Sequence, residues 1–482
     1  MDAGTRKLSA DLKTNEETLV RLLFKAPDLV VHYFFMSQTG TQAFIAYLRG
    51  TTDLNLLQNF VRDLQLRSDD TRQLRSVLAY HQTNRVFDWD SISTGLLEGQ
   101  SALFIQGDQG AYLCNFSSWP KRALVEPESE VTLRGSRIGF IESGDTNIAL
   151  IRKLIPDSRM RMDEMNVGER SQTKVTLAYI DDIADKDAVE EMKSRIKQIK
   201  VDSIINTGEL VEYIEDNNYS IFPQFLITER PDLVASNLLQ GRIAVILDRS
   251  SYVLMGPMSF LSFFSSVDDI NIRWPIVSFL RLLRIIGLLI SIFLPSIYIA
   301  MVSFHYEIIP IDLVQSIGSS LERVPIPPIV EAMFMELFLE MLREAGLRLP
   351  NKIGQSVGIV GGIVIGQAAV QAGLVSNIMV IVVALTAIAS FLQPNQDMAA
   401  AVRMIRFPFM LAAYVMGLVG IVIGIMILVA HIISLTSLKM PYTTPVMPLR
   451  LRDWKVTLFR APLPFIKNRV SAANPHNTRK KK

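Results

Sequence analysis

A chain of 482 residues with 49 basic and 47 acidic side chains is long enough for several folded units. Its formal charge of +2 and lack of a basic stripe with interleaved aromatics argue against a nucleic-acid partner. The single cysteine, Cys114, excludes an internal disulfide and a cysteine-based zinc cluster. His32, His81, His305, His431 and His476 have no metal-ligand spacing, so no metal or cofactor is expected.

The N-terminal stretch MDAGTRKLSADLKTNEETL is polar and has no apolar core of a signal peptide. The first 270 residues are therefore expected to fold in the cytoplasm. Ser101–Phe116, SALFIQGDQGAYLCNF, predicts two strands around a Gly-Asp-Gln-Gly turn. RIGFIE (Arg137–Glu142) predicts a strand, with a helix behind it over Thr146–Leu154. Val175–Asp185 predicts a buried strand leading into a helix over Asp187–Ile199. That helix is apolar at 189, 192, 196 and 199, one face at helical spacing.

An internal repeat links two parts of this region. DSISTGLLEGQSALFIQ (Asp90–Gln106) aligns with DLVASNLLQGRIAVILD (Asp232–Asp248) at a constant offset of 142. Each reads as an aspartate N-cap, a short helix, a glycine stop and a strand. Because helix–Gly–strand units are common, chance similarity is the competing explanation. The repeat divides the soluble half into two related α/β subdomains, residues 1–130 and 131–270. Neither copy holds a glycine-rich phosphate loop or a nucleophile–base pair, so a scaffold or binding module is expected rather than an enzyme.

Composition changes sharply near Trp274. Ile285–Phe304 carries no charge and is long enough to cross a bilayer, and no charged residue lies between Lys352 and Asp397. Apolar helices are expected at about 285–304, 353–373, 377–396 and 407–433. They define an α-helical polytopic membrane domain over 271–436, followed by a basic, disordered tail over 437–482. Arg273, Arg281 and Arg284 ahead of the first span favour a cytoplasmic N-terminal half.

Between the first two spans lies EAMFMELFLEMLREAGLRLP (Glu331–Pro350). Pro327 and Pro328 start an amphipathic helix over about 328–345, and Gly346 stops it. Glu336, Glu340 and Glu344 fall within about 80° of one another on a helical wheel. Arg343 and Arg348 stand three and four residues after Glu340 and Glu344, in the favourable order for ion pairs. Met335, Phe338, Leu339, Leu342 and Ala345 form the opposite face. Glu331 falls on the apolar face in the first turn, where the helix dipole favours an anion, and is read as a cap. The three stripe acids have two readings: an interfacial helix with its acids in water, or acids lining a hydrated cavity or assembled pore. If this helix crosses the bilayer, the basic tail ends outside; if it is interfacial, the tail is inside, as charge bias favours. Gly354, Gly358, Gly362 and Gly366 then recur every four residues, a stripe for close helix packing within one subunit or between identical subunits.

ERPDLVASNLLQGRIAV, RWPIVSFLRLLR, SIYIAMVSFH and the long stretch from Pro325 through Ser376 resemble the A subunit of bacterial spore germinant receptors, the GerA family. EPESEVTLRGSRIGFIE and TNIALIR resemble the soluble domain of that family, and the likeness covers roughly residues 120–435. The resemblance implies a multi-pass protein of the spore inner membrane of a sporulating bacterium. It implies a transporter-like B subunit and a lipoprotein C subunit as partners in nutrient sensing. It further implies a homo-oligomer among membrane lipids, forming a ligand-gated cation channel that triggers germination. No nutrient contact carries over to a residue of this chain. A secondary transporter acting alone is the alternative, weakened by the few spans and by membrane halves that are not inverted repeats.

Overall fold

The computed structural model describes residues 7–480 except 37–39, 68–76, 82, 120–126, 128–129, 131, 133, 323, 349–361 and 363–365. The first sheet grows from the apolar run LVVHYFFM. This strand, β1 (Leu29–Met36), pairs antiparallel with β2 (Thr41–Leu48), placing Leu29 opposite Leu48. Then come β3 (Asn84–Val86), β4 (Ser101–Ile105) and β5 (Ala111–Cys114), giving the order β1-β2-β4-β5-β3. Helices α1 (Leu12–Leu22), α2 (Leu54–Arg67) and α3 (Trp89–Leu97) cover it. The Asp11 carboxylate caps α1 by accepting from the Thr14 backbone N–H at 3.1 Å.

The second sheet repeats the plan. Its strands are β6 (Met160–Val167), β7 (Thr173–Ile180), β8 (Leu226–Thr228), β9 (Ile243–Leu247) and β10 (Val253–Gly256), in the order β6-β7-β9-β10-β8. Its helices are α4 (Gly144–Leu154), α5 (Lys186–Gln198), α6 (Thr207–Ile214) and α7 (Pro231–Leu238). Adding 142 to the first residues of β3, β4 and β5 (84, 101 and 111) gives those of β8, β9 and β10 (226, 243 and 253). The soluble half is thus two related α/β subdomains. Gly99 (φ 85°) and Gly241 (φ 93°) both stop their helices in the left-handed region, as expected. The caps sit elsewhere. Asp88, not Asp90, caps α3, and α7 starts at Pro231 after Arg230, leaving Asp232 in its first turn. The expected strand over 137–142 is also absent. That segment makes isolated bonds instead of a ladder, with Phe140 N–H donating to Glu229 O just past edge strand β8 and Ile141 N–H donating to Asn147 Oδ1. The subdomains are joined by a buried bidentate ion pair in which Arg152 of α4 grips Asp28 through Nε and Nη2, the latter at 2.8 Å.

The C-terminal region is helical: α8 (Trp274–Phe304), α9 (Ile311–Leu321), α10 (Pro328–Leu347), α11 (Asn377–Phe391) and α12 (Gln396–Ser434). Two of these, α8 and α12, are long and apolar enough to cross a membrane, and α11 is a shorter apolar helix. The span expected at 353–373 lies largely outside the described residues. One buried core is continuous from a face of the second sheet (Met160, Ile180, Ile246) into the bundle (Ile299, Met379, Val402).

Helix α12 is not one rod. At Gly417 the backbone takes φ 59° and ψ −139°, outside the helical region. Beyond it the chain folds back: Gly420 lies against the Ala412 carbonyl, and Gly424 against the Phe409 ring. In a straight helix residues eight apart are about 12 Å apart, so α12 is a hairpin. Its limbs, 396–416 and 418–434, reach about 30 Å and about 25 Å at 1.5 Å per residue. Helix α8 leaves the soluble half, held there by Arg281 and Arg284 on Asp269, and ends with Phe304 and His305 beside Gly417. Both ends of α12 consequently return toward the second subdomain.

The tail differs from expectation. Residues 437–480 pack on the second subdomain and include α13 (Leu451–Thr457). Tyr442 is buried and donates to Pro223 O at 2.7 Å, while His476 N–H donates to Ile183 O at 2.8 Å. Arg460 donates to Ile270 O at 2.9 Å and also to Ile272 O. Three basic side chains of the tail, Arg450, Arg460 and Arg469, donate to backbone carbonyls, which composition alone does not reveal.

Candidate functional site

The expected amphipathic helix is present as α10, but its faces are mixed: Ala332 and Met335 are buried together with Glu331 and Glu336, and a second apolar stripe faces outward. Val330, Phe334, Leu337 and Met341, spaced by three and four residues, are exposed, while Glu331 and Glu336 are buried. Helix α11 follows the same rule, exposing Ile381, Leu385, Ile388 and Phe391 and burying Thr386 and Ser390. Helix α12 exposes Val415, Val419, Met426 and Ile427 and buries Arg406. The bundle keeps an apolar core (Val383, Val402, Met410) into which Glu331, Glu336 and Arg406 are also drawn, and it turns further apolar stripes outward, a surface suited to an apolar surrounding.

Inside it, charges form a ladder between α10 and α12. Glu336 pairs with Arg406, both within 4% of complete burial. Arg406 completes its fork on α8, donating Nε to Ser291 O at 2.8 Å and Nη2 to Ser291 Oγ at 2.9 Å. One turn on, Glu340 meets Arg403 at 3.3 Å and Arg343 at 3.7 Å. Arg343 also lies over the Phe391 ring. At the end Glu344 pairs with Arg348 at 2.7 Å in the open. Within this one chain, then, the three stripe acids do not share a cavity. They descend from buried to exposed, each held by arginine. The pairs with Arg343 and Arg348 follow the predicted helical spacing. The partners Arg403 and Arg406 lie more than sixty residues away, and the only sequence signal for them was two arginines beside an apolar run.

Glu331 caps a helix, but a different one from that expected. Fully buried, it accepts from the backbone N–H of Ser376, the N-cap of α11, at 2.8 Å. Its place on the apolar face of α10 aims it at that neighbour. Of the glycine stripe, Gly354 and Gly358 lie outside the described residues. A Cβ at Gly362 would meet nothing within 4 Å, and one at Gly366 only the Val380 side chain at 3.8 Å. Among the described residues, packing does not require either. Among the described residues no group of three or more His, Cys, Asp or Glu side chains could hold a metal ion.

The bundle and the second subdomain are joined where α12 ends. Asp216 accepts from the backbone N–H groups of Leu438 and Lys439, each at 3.1 Å, and from the Thr436 hydroxyl and Arg195. These donors hold its carboxyl below the usual range despite burial. Neighbouring Glu215 goes the other way. Burial pushes it up to about 7, only partly opposed by the Gln224 N–H, and Glu212, Asp397 and Asp216 add like charge. A carboxyl that holds its proton more tightly when folded favours the folded state in acid, and this contribution fades as pH rises from about 4.5 to 7. Glu215→Gln is expected to raise the thermal midpoint of the purified chain at pH 8 and leave it nearly unchanged at pH 4.5. Equal shifts at both values would refute the assignment.

The fold and site define a class: a duplicated α/β module clasped to a helical bundle with an apolar core, buried ion pairs and exposed apolar stripes. Residues 17–472 match the family described as Bacillus/Clostridium GerA spore germination protein, and the chain belongs to that family. It is 37% identical to spore germination protein B1 of Bacillus subtilis, over 98% of this chain and 99% of that one. It is 38% identical to the B. subtilis membrane protein YfkQ (96% and 91%) and to spore germination protein GerLA of Bacillus cereus (92% and 91%). The crystal structure of the N-terminal domain of the A subunit of the Bacillus megaterium spore germinant receptor GerK3 aligns with a TM-score of 0.42 and 26% identity. That alignment covers 53% of this chain and 98% of that one.

Proposed function

We propose that this protein is the A-type subunit of a nutrient-sensing germinant receptor in the spore inner membrane, and that its bundle forms a ligand-gated cation path in a homo-oligomer. Membership of the GerA family supports the receptor role. The observation that carries the membrane and channel reading is the set of bare apolar stripes on α10, α11 and α12, together with Glu336 and Arg406 buried inside the bundle. In the proposed arrangement lipid and neighbouring subunits cover those stripes, and Gly362 and Gly366 face a second copy. Exposed Glu344 and half-exposed Glu340 stand at the mouth of the path, where ring symmetry would multiply their charge. Helix α10 crosses alongside α8, and the Gly417 hairpin still returns the tail to the soluble, cytoplasmic side. In this arrangement a crossing α10 and a tail on the cytoplasmic side are compatible.

In this reading the soluble half works as a coupling domain, with a transporter-like B subunit and a lipoprotein C subunit completing the receptor. Asp216 and the Arg281–Asp269–Arg284 cluster tie it to the ends of α12 and α8. A displacement of the second subdomain would therefore be felt by both limbs of the bundle. The test is deletion of the gene in its spore former, with germination scored against amino acids and sugars. Loss of response to a particular nutrient mixture, restored by the wild-type gene, is expected. Unchanged germination on every mixture would overturn the receptor role.

A further inference from the structure

Arg242 follows the glycine stop of α7 and enters a cavity of about 410 Å³ between the second subdomain, the start of α8 and the tail. Its Nη2 donates to Ser262 Oγ at 2.7 Å and its Nη1 to Asn237 Oδ1, both neutral acceptors. Its Nε is buried and has no acceptor among the described residues. Among the described residues no carboxylate lies within ion-pair distance of it, whereas Arg281 on the same cavity wall is paired with Asp269. Burial alone pulls this guanidinium down to about 10, with no negative charge acting against it. Arg242 is half-buried with its Nε shut off from solvent, and such a partly desolvated cation without an anion is costly, a cost that a charge-assisted pair would remove.

The carboxylates on the wall do not fill this role. Asp269 is taken by two arginines, and Glu130 accepts from the Thr228 hydroxyl while burial pushes its carboxyl up toward the neutral form. Nor does the fold need an arginine here. At the matching position of the first copy, 142 residues earlier, Gln100 follows Gly99 in the same helix–glycine–strand turn. The arginine belongs to the second copy, the one that carries the cavity.

We propose that this cavity is an anion site, in which a phosphate or carboxylate group pairs with Arg242, with the unused Gln240 amide N–H as a second donor. Its walls come from the second subdomain, α8 and the tail, so an occupant would cross-link all three. The anion is either a free small molecule or the headgroup of an anionic lipid, since α8 leaves toward the proposed membrane at this level.

The experiment is thermal unfolding of the purified full chain in neutral detergent, titrated with inorganic phosphate, sodium acetate or dihexanoyl phosphatidylglycerol. A saturable rise in the midpoint with at least one of them is expected, weakened about tenfold or more in Arg242→Gln. A response to phosphate or acetate assigns a free ligand; a response to the lipid alone assigns a headgroup. Arg242→Gln without ligand should unfold no earlier than wild type, because it installs the side chain the first copy uses and removes an uncompensated charge. Ser262→Ala, which leaves the guanidinium in place, should weaken the response less. No saturable shift with any probe, or an equal shift in Arg242→Gln, would overturn the proposal.

Discussion

Replacing Glu336 with glutamine is expected to destabilise the folded chain by about 3–5 kcal/mol, because it strands the Arg406 guanidinium inside the bundle. Both partners are almost completely buried, and Arg406 also fixes Ser291 of α8. Removing the pair together should cost far less. The double variant Glu336→Leu with Arg406→Met replaces two desolvated charges by apolar side chains, and such swaps are often neutral. Thermal unfolding of the two single variants and the double in detergent measures the coupling. A single Glu336→Gln variant as stable as wild type would show that the pair is not buried as described. The ladder also bears on function. A Glu336 variant that stops germination at low protein level reports folding, so the acids suited to testing ion passage are Glu340 and Glu344.

The second large effect is expected at Gly417. A side chain there must adopt φ 59° with ψ −139°, a glycine region that costs other residues about 1–3 kcal/mol. Its Cβ would also stand 2.9 Å from His305 Nε2 and 3.2 Å from the Phe304 side chain, adding an overpacking cost of about 1–3 kcal/mol. Gly417→Val should therefore open the hairpin and loosen the tail. Limited trypsin digestion at Arg450 and Arg452 reads this directly, with cleavage about tenfold faster than wild type. Unchanged cleavage together with an unchanged melting point would argue for a straight α12.

What could be read from the sequence divides along physical lines. Local rules worked where the structure is local: strands β4 and β5 about their turn, α5 from its apolar spacing, and the ion pairs of Arg343 and Arg348 at three and four residues. The duplication was visible in a 17-residue match, and the two sheets share one strand order. Errors came where the partner is distant. Asp90 and Asp232 looked like caps because they precede apolar runs, but extended backbone at Asp88 and Arg230, the latter followed by Pro231, set the true starts. Glu331 caps a helix that begins 45 residues later. The charged face of α10 read equally well as facing water or facing a cavity, because a helical wheel does not say which solvent surrounds it. Only the exposed Phe334, Leu337 and Met341 settle which face points out. Gly417 was hidden inside an apolar run, where several glycines look alike and one takes a non-helical conformation.

The central claim is that the bundle carries cations when the receptor is triggered. It is tested most directly by nutrient-triggered potassium release from spores that lack the native gene and express the Glu340→Gln, Glu344→Gln variant at the wild-type amount. Those acids are the exposed end of the ladder, so the protein should assemble normally while potassium release slows several-fold, as expected for a weakened cation-attracting ring. Potassium release at the wild-type rate, with equal protein in the membrane, would contradict a cation path past α10.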